Sequence, residues 1–313
     1  LETAKEVWDK AQMIVKVKEP LADEYELLRE NQILYTYLHL AAEPQLTKVL
    51  CERKVKSIAY ETIQAEDGSL PLLTPMSEVA GRMATQIGAF YLQKDHGGKG
   101  ILLGGVPGVP RGKVVIVGGG VVGVNAAKMA VGLGAEVSVL DVNSARLEYI
   151  DHIFDGRVTT LYSNIKNIEE SIVRADLVVG AVLLPGRKAP KLVSKQLVSQ
   201  MAPGSVVVDV AVDQGGCIET CRPTSHKNPT YEVDGVIHYC VPNMPGVGTR
   251  TSTYALTNVT FKYASILAQS GVEAAVAKDK ALMMGVNVYG GYVCYEPVAR
   301  DLDMEYRAFS SLI

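Results

Sequence analysis

An α/β fold of two domains with parallel sheets, one inserted between the two parts of the other, is what this sequence predicts. Three observations carry that reading. Short runs rich in Val and Ile alternate with amphipathic stretches of helical length through most of the 313 residues. Strands covered on both faces by crossover helices have this pattern. One such strand–helix–strand stretch, Lys113–Asp141, carries glycines at fixed spacing between its first strand and its helix. From Thr251 the pattern turns helical, as expected of a segment returning to pack on the first domain. The bounds that follow are 1–75 and 248–313 for one domain, the latter part helical, and 76–247 for the domain inserted between them.

The elements follow in order along the chain. A helical lead, Leu1–Lys10, precedes an alternating strand, Met13–Lys18, which Pro20 stops because its nitrogen cannot donate to a ladder. A charged helix over Ala22–Arg29 leads to a second strand, Ile33–Leu38, followed by His39. Helix Glu43–Arg53 and strand Val55–Tyr60 complete a small parallel sheet. Asp67-Gly68 marks a turn, and Met76–Lys94 reads as a long helix with Gly97-Gly98 just past its end. The loop Gly100–Arg111, rich in glycine and proline, enters the glycine-marked stretch. After it come helix Ser144–Ile153, strand Val158–Leu161, helix Ile165–Arg174 and strand Asp176–Val182. Helix Ser194–Met201 leads to strand Ser205–Val212, ending in Asp213, and Val236–Cys240 reads as the last strand. Helices Thr251–Ala268 and Glu273–Met284 form the return.

Composition excludes several classes. Apolar residues make up 48% and charged residues 21%, with a net charge of −3, so neither nucleic acid nor an anionic membrane is an expected partner. No apolar run reaches the roughly 18 residues that span a bilayer, and no signal peptide is visible. Five cysteines, odd in number and unclustered, point to reduced thiols and a cytoplasmic setting. Cys217-x-x-x-Cys221 with His226 offers three ligands at a spacing outside the common zinc patterns, so no metal is expected. Trp8 reads as packing, Tyr35 and Tyr37 as packing or the border of a site, and His96 as a helix C-terminal residue favoured by the dipole.

The glycines have separable jobs. Gly118, Gly120 and Gly123 stand at G-x-G-x-x-G spacing after strand Val114–Val117 and open a helix over Val121–Leu133. The first allows a tight turn, the second lets backbone approach a pyrophosphate, and the third lets the helix lie close on the strand. Free N–H groups at the helix start favour phosphate charge. The next strand, Glu136–Leu140, ends in Asp141, whose carboxylate can accept both ribose hydroxyls of NAD and would repel the extra phosphate of NADP. NAD is the expected cofactor, and both domains read as Rossmann-like with parallel sheets, that of the glycine-marked domain doubly wound.

In open parallel sheets, ligands sit outside the carboxyl ends of strands. Lys18, His39, Asp141 and Asp213 are the polar residues read at those ends. Lys18, His39 and Asp213 around one reactive carbon suit proton transfer and oxyanion stabilisation. The same residues also read as a strand cap in water, a polar corner and the start of a turn. Gly215-Gly216 after Asp213 adds weight to the ligand reading, since close backbone approach needs glycine.

The segments VKVKEPL (15–21), LYTYLHLA (34–41), KVVIVGGGVVG (113–123), DVAVDQGG (209–216), VPNMPG (241–246) and RTST (250–253) resemble alanine dehydrogenase over essentially the whole chain. Val247-Gly248-Thr249 departs from that family's more usual Ala-Val-Pro/Ala. The NAD-binding subunit of the proton-pumping transhydrogenase is similar, with a DVAVDQGG-type loop, but typically lacks a histidine where His39 stands. Two readings therefore stand side by side: a dehydrogenase, and a non-catalytic NAD-binding subunit working with a partner.

The resemblance to alanine dehydrogenase implies reversible conversion of L-alanine, NAD and water into pyruvate, ammonium and NADH by a homohexamer. Lys18 would hold the substrate's carboxylate or carbonyl oxygen. His39 would be the acid/base at the reacting carbon, and Asp213 a second acid/base that handles water and the carbinolamine. Matching cofactor contacts are Ser77, Val121, Val122, Asp141, Arg146, Ser163, Val182, Leu183, Val210, Ala211, Val212, Asp213, Arg222, Val241, Pro242, Asn243 and Met244, beside Gly118, Gly120 and Gly123. The family's chain also has residues before the point where Leu1 stands, with an arginine for the substrate carboxylate. No residue here matches that arginine, so weak handling of alanine and pyruvate by the chain beginning at Leu1 is expected.

Overall fold

The computed structural model describes residues 1–182, 189–212 and 215–313. The chain divides into two compact units, Leu1–Pro75 with Thr253–Ile313, and a second lying between Met76 and Ser252.

Helix α1 (Ala4–Lys10) is capped by Thr3, whose hydroxyl accepts the Glu6 N–H, and buries Trp8. Strands β1 (Met13–Val15), β2 (Ile33–Thr36) and β3 (Lys56–Ala59) pair in parallel, with α2 (Pro44–Glu52) crossing between β2 and β3. Both β1 and β2 are shorter than the sequence suggests, but the hydrogen bonds run on: Lys16 N–H donates to the Tyr35 carbonyl (3.2 Å) and Tyr37 N–H to that of Val17 (3.4 Å). The expected helix over Ala22–Arg29 is a 3₁₀ segment, Ala22–Leu27. It buries no residue, and without an apolar stripe to pack, a single α turn has nothing to offset its nucleation cost.

Helix α3 (Thr74–Tyr91) opens the second unit. His96 lies beyond it in a 3₁₀ turn closed by Gly97, so it is not the α-helical C-terminal residue the sequence suggested, and its ring stacks on Phe90 at 3.8 Å. Then come β4 (Lys113–Val117), α4 (Val121–Gly132), β5 (Glu136–Asp141), α5 (Ser144–Phe154), β6 (Val158–Tyr162), α6 (Ile165–Arg174), β7 (Leu177–Gly180), α7 (Lys195–Val198), β8 (Val206–Asp209), β9 (Thr230–Val233) and β10 (Val236–Tyr239). The sheet order is β6-β5-β4-β7-β8-β10-β9, parallel except for β9 against β10. Val114 and Ile116 pack on one face while Val115 and Val117 pack on the other, which is why β4 reads as an unbroken apolar run. Strand order reverses between β4 and β7, so the glycine turn after β4 lies at the topological switch point.

Three expectations are corrected. Strand β8 stops at Asp209 rather than running to Asp213, because the Asp209 carboxylate accepts the N–H of Ala211 (3.1 Å), Cys217 (3.0 Å) and Ile218 (3.3 Å) and turns the chain out of the sheet. Val236–Cys240 is not the last strand, nor is the return purely helical. After α8 (Thr249–Lys278), which breaks at Gly271, and α9 (Ala281–Gly285), strands β11 (Val286–Tyr289) and β12 (Tyr292–Val293) precede α10 (Glu296–Asp301). Strand β11 joins β3 antiparallel, giving the order β1-β2-β3-β11-β12, so both sheets are parallel-rich rather than wholly parallel.

Candidate active site

The carboxyl ends of β1, β2 and β3 bring four polar residues of the first unit together. The turn after β1 supplies Lys18 and Glu19, β2 runs out into His39, and the 3₁₀ turn Tyr60–Thr62 after β3 supplies Glu61. His39 Nδ1 lies 3.0 Å from Glu19 Oε2. An Nδ1–H donated to that carboxylate makes Nε2 the nitrogen that exchanges a proton. His39 has φ 50° and ψ 36°. Its N–H donates to Glu61 Oε1 at 2.7 Å, and the Leu38 N–H donates to the same oxygen at 3.1 Å. The Tyr37 ring stacks against the imidazole with centroids 5.9 Å apart, and its hydroxyl donates to the Leu72 carbonyl at 2.6 Å.

Electrostatics inside this cluster favour an imidazolium. Burial opposes the charge on His39, yet the Glu19 hydrogen bond and the Glu61 carboxylate outweigh burial and the Lys18 charge, so its pKa lies above the ordinary histidine value. Burial likewise opposes charge on Glu19, but the His39 hydrogen bond and the Lys18 ammonium hold its carboxyl below the ordinary range. Lys18 thus acts on both partners, while its carbonyl accepts the Thr36 hydroxyl at 3.1 Å. A base, an acid and a fixed cation at one strand-end cluster can bind a carboxylate or carbonyl and pass a proton to it. Lys18 and His39 are expected from the sequence; Glu19 and Glu61 are not. The strand-end rule that picked out His39 applies equally to Glu61, directly after β3.

The second unit holds the glycine turn. Gly118 has φ 109°, and a Cβ there would meet the Ala181 carbonyl oxygen at 2.6 Å. A Cβ at Gly123 would stand 1.9 Å from the Gly118 oxygen, so helix and strand meet only through glycine. Gly120 caps α4, and a Cβ there would meet nothing within 4 Å. Open space over the N–H groups of a 12-residue helix fits a pyrophosphate in a way that a packed turn would not.

Asp141 stands beside this opening. Its Oδ2 accepts the Gly119 N–H at 2.6 Å and its Oδ1 the Asn143 N–H at 2.8 Å. Each oxygen keeps acceptor capacity for a ribose hydroxyl. Arg146 lies in the first turn of α5, and the Ser163 N–H donates to the Asp141 carbonyl at 2.9 Å. Val121 and Val122 open α4, Val182 follows β7, Val210–Val212 follow β8, and Val241–Met244 follow β10. Val122, Ala211, Val212, Val241 and Met244 are buried, whereas Pro242 is half-buried and Asn243 is exposed at φ 53°. These positions, with Asp141 and Ser163, follow the carboxyl ends of six parallel strands. Ser77 lies instead on α3, and Arg222 precedes β9 with its guanidinium 4.3 Å over the Tyr231 ring. Leu183 and Asp213 lie outside the described residues.

One acid of this unit went unnoticed in the sequence. Asp209 is wholly buried, and burial pushes its pKa up to about 6 against the three N–H groups that it accepts. A buried carboxylate with three backbone donors ties Ala211 and the pair Cys217–Ile218 to the end of β8.

Asp141→Ala should lower NADH affinity about 10- to 100-fold, the worth of a lost charged hydrogen bond, while NADPH gains relative to NADH. Fluorescence titration of the two reduced cofactors reads this directly. Equal affinity for both in the unaltered protein contradicts the assignment of Asp141 to the ribose.

Two family models match the chain, "Alanine dehydrogenase/PNT, N-terminal domain" over residues 1–80 and "Alanine dehydrogenase/PNT, C-terminal domain" over residues 84–296. An alanine dehydrogenase of Methanococcus maripaludis is 62% identical over 307 residues, 98% of this chain and 82% of that protein. An alanine dehydrogenase of Bacillus subtilis is 59% identical over 303 residues, 96% of this chain and 80% of that protein. Among solved structures, an L-alanine dehydrogenase superposes with a TM-score of 0.89 at 54% identity, covering 97% of this chain and 83% of that one. A transhydrogenase from Sinorhizobium meliloti superposes at 0.75 with 25% identity, covering 93% of this chain and 83% of that one.

Proposed function

The chain belongs to the alanine dehydrogenase/PNT family, and from that membership we propose that it oxidises L-alanine with NAD and water to pyruvate, ammonium and NADH, reversibly. The observation that carries this reading is the strand-end cluster itself: His39 held by Glu19 and Glu61, with Lys18 beside it. The non-catalytic alternative, an NAD-binding subunit of the transhydrogenase kind, is not favoured: identity to that structure is 25%, against 54% to the dehydrogenase.

NAD, when bound, supplies a nicotinamide that accepts hydride from the alanine Cα. The chain does the rest. Gly118 and Gly120 with the start of α4 would hold the pyrophosphate, Gly123 lets α4 lie close on β4, and Asp141 would hold the adenosine ribose. The other assigned contacts are Ser77, Val121, Val122, Arg146, Ser163, Val182, Leu183, Val210–Asp213, Arg222 and Val241–Met244. Lys18 pairs with the substrate carboxylate or with the oxygen developing on Cα. Loss of hydride leaves an imine, to which water adds. Asp213 takes a proton from that water, and His39 exchanges a proton through Nε2 as the carbinolamine collapses to pyruvate and ammonia. With Nδ1 fixed by Glu19, the imidazole does not need to turn between steps.

The assembly is a homohexamer, for which sedimentation at micromolar concentration is the check. A cytoplasmic setting is supported by cysteines that are all free thiols. Among the described residues no helix is long and apolar enough to cross a membrane. The activity is tested by following NADH at 340 nm with L-alanine and NAD supplied, and its reversal with pyruvate and ammonium. Absorbance that rises in the first assay and falls in the second is the expected result; NADH binding without turnover in either direction favours the transhydrogenase-like alternative.

A further inference from the structure

We propose that Glu61 is the positioning residue for His39, its carboxylate clamping the left-handed turn on which the imidazole is carried. The proposal rests on the acid/base role of His39 and names what holds that residue in place.

His39 adopts φ 50° and ψ 36°, a region that disfavours any residue with a Cβ. Such a conformation persists only where its surroundings hold it. Leu38 and Leu40 on either side are buried, 0% and 2% exposed, and they fix the depth at which β2 leaves the sheet. They do not fix the rotation of the residue between them. That falls to Glu61, which collects the N–H groups of both Leu38 and His39 at 3.1 and 2.7 Å on one oxygen. Glu61 is itself anchored, since Tyr60 and Thr62 beside it are 1% and 4% exposed. Two short turns at the ends of neighbouring strands are therefore tied through one carboxylate, and the imidazole is aimed by the tie.

The carboxylate also brings charge. Facing His39 are Glu19 and Lys18 from the turn after β1, Glu61 from the turn after β3, and Tyr37 from the same segment beyond β2. Tyr295 lies within electrostatic reach of Glu61, and Tyr25 of Glu19. Two carboxylates against one ammonium favour the protonated ring, and Glu61 is the one that makes no hydrogen bond to the ring itself.

Geometry and charge separate by substitution in the full chain. Glu61→Gln keeps an oxygen where Oε1 stands, so both backbone N–H groups are still accepted and only the charge is lost. Glu61→Asp keeps the charge but is one methylene too short to reach both N–H groups. In Glu61→Gln, the His39 ring resonance, assigned by its loss in His39→Asn, should titrate at lower pH than in the parent. The limb of the kcat/KM profile that follows His39 should move with it. Glu61→Asp should lower kcat by about 10- to 100-fold, since a misplacement of the order of 1 Å costs that much. Its NADH affinity should stay within about threefold of the parent, because the loss lies in the chemical step. Unchanged His39 titration in Glu61→Gln, or parental kcat in Glu61→Asp, overturns the proposal. Parental turnover in His39→Asn is a different failure: it removes the acid/base role, and the titration alone then judges whether Glu61 governs His39.

Discussion

Turnover falls by about 10²-fold or more when His39 becomes Asn, because a general acid/base contributes at least that much to a proton-coupled step. Asparagine keeps a polar group of similar size without a titratable nitrogen. Asp213→Ala should give a loss of the same order, since the carbinolamine steps need a second group to activate water. The His39 change should not disturb NADH affinity appreciably. His39 belongs to the first unit, and the glycine turn and Asp141 belong to the second. Stopped-flow reduction of NAD under single-turnover conditions separates the chemical step from product release. Near-parental rates in either variant remove that residue from the mechanism.

Gly120→Val and Gly123→Val, three positions apart in one motif, should fail in opposite ways. At Gly120 a side chain enters open space over the start of α4, with nothing of the protein within 4 Å of its Cβ. The domain should therefore fold normally while NADH affinity drops by about 100-fold, equivalent to about 2.7 kcal/mol. At Gly123 the new Cβ would stand 1.9 Å from the Gly118 carbonyl oxygen, a backbone atom that cannot rotate away. Separating α4 from β4 to relieve that contact opens a core in which Ala126, Ala127 and Ala130 are wholly buried. A loss of about 3 kcal/mol or more in stability is expected, the upper range for overpacking. Urea denaturation together with NADH titration of each variant reads both effects. A Gly120→Val protein that binds NADH like the parent shows that the opening does not hold the cofactor.

How far the sequence alone reaches depends on how local the cause is. The stretch from β4 to β5 was legible almost to the residue because everything that shapes it lies within thirty positions: an apolar run, a glycine turn, a helix and an acid at the next strand end. The end of β8 was misread for the opposite reason. In Ser205–Val212 the apolar residues continue past Asp209, and periodicity alone cannot show that three N–H groups, two of them from residues 217 and 218, draw that carboxylate inward. An acid in the middle of an apolar run was the available clue, since a buried carboxylate demands partners.

The missed strands had signals of their own. Asp234-Gly235 and Gly290-Gly291, all four at positive φ, are the two-residue turns of the β9–β10 and β11–β12 hairpins, and both pairs stand in the sequence between β-rich segments. The left-handed backbone of His39 had none, because its cause sits 22 positions away in Glu61. Proximity of Lys18 and His39 followed from parallel pairing of neighbouring strands, whereas the carboxylates that govern the imidazole emerge only with the turns in place.

Incubating L-alanine carrying deuterium at Cα with NAD, and weighing the reduced cofactor by mass spectrometry, tests the hydride transfer itself. A reduced cofactor heavier by one deuterium, formed together with an equal amount of pyruvate, is the expected result. No reduced cofactor, or reduced cofactor without deuterium, contradicts it.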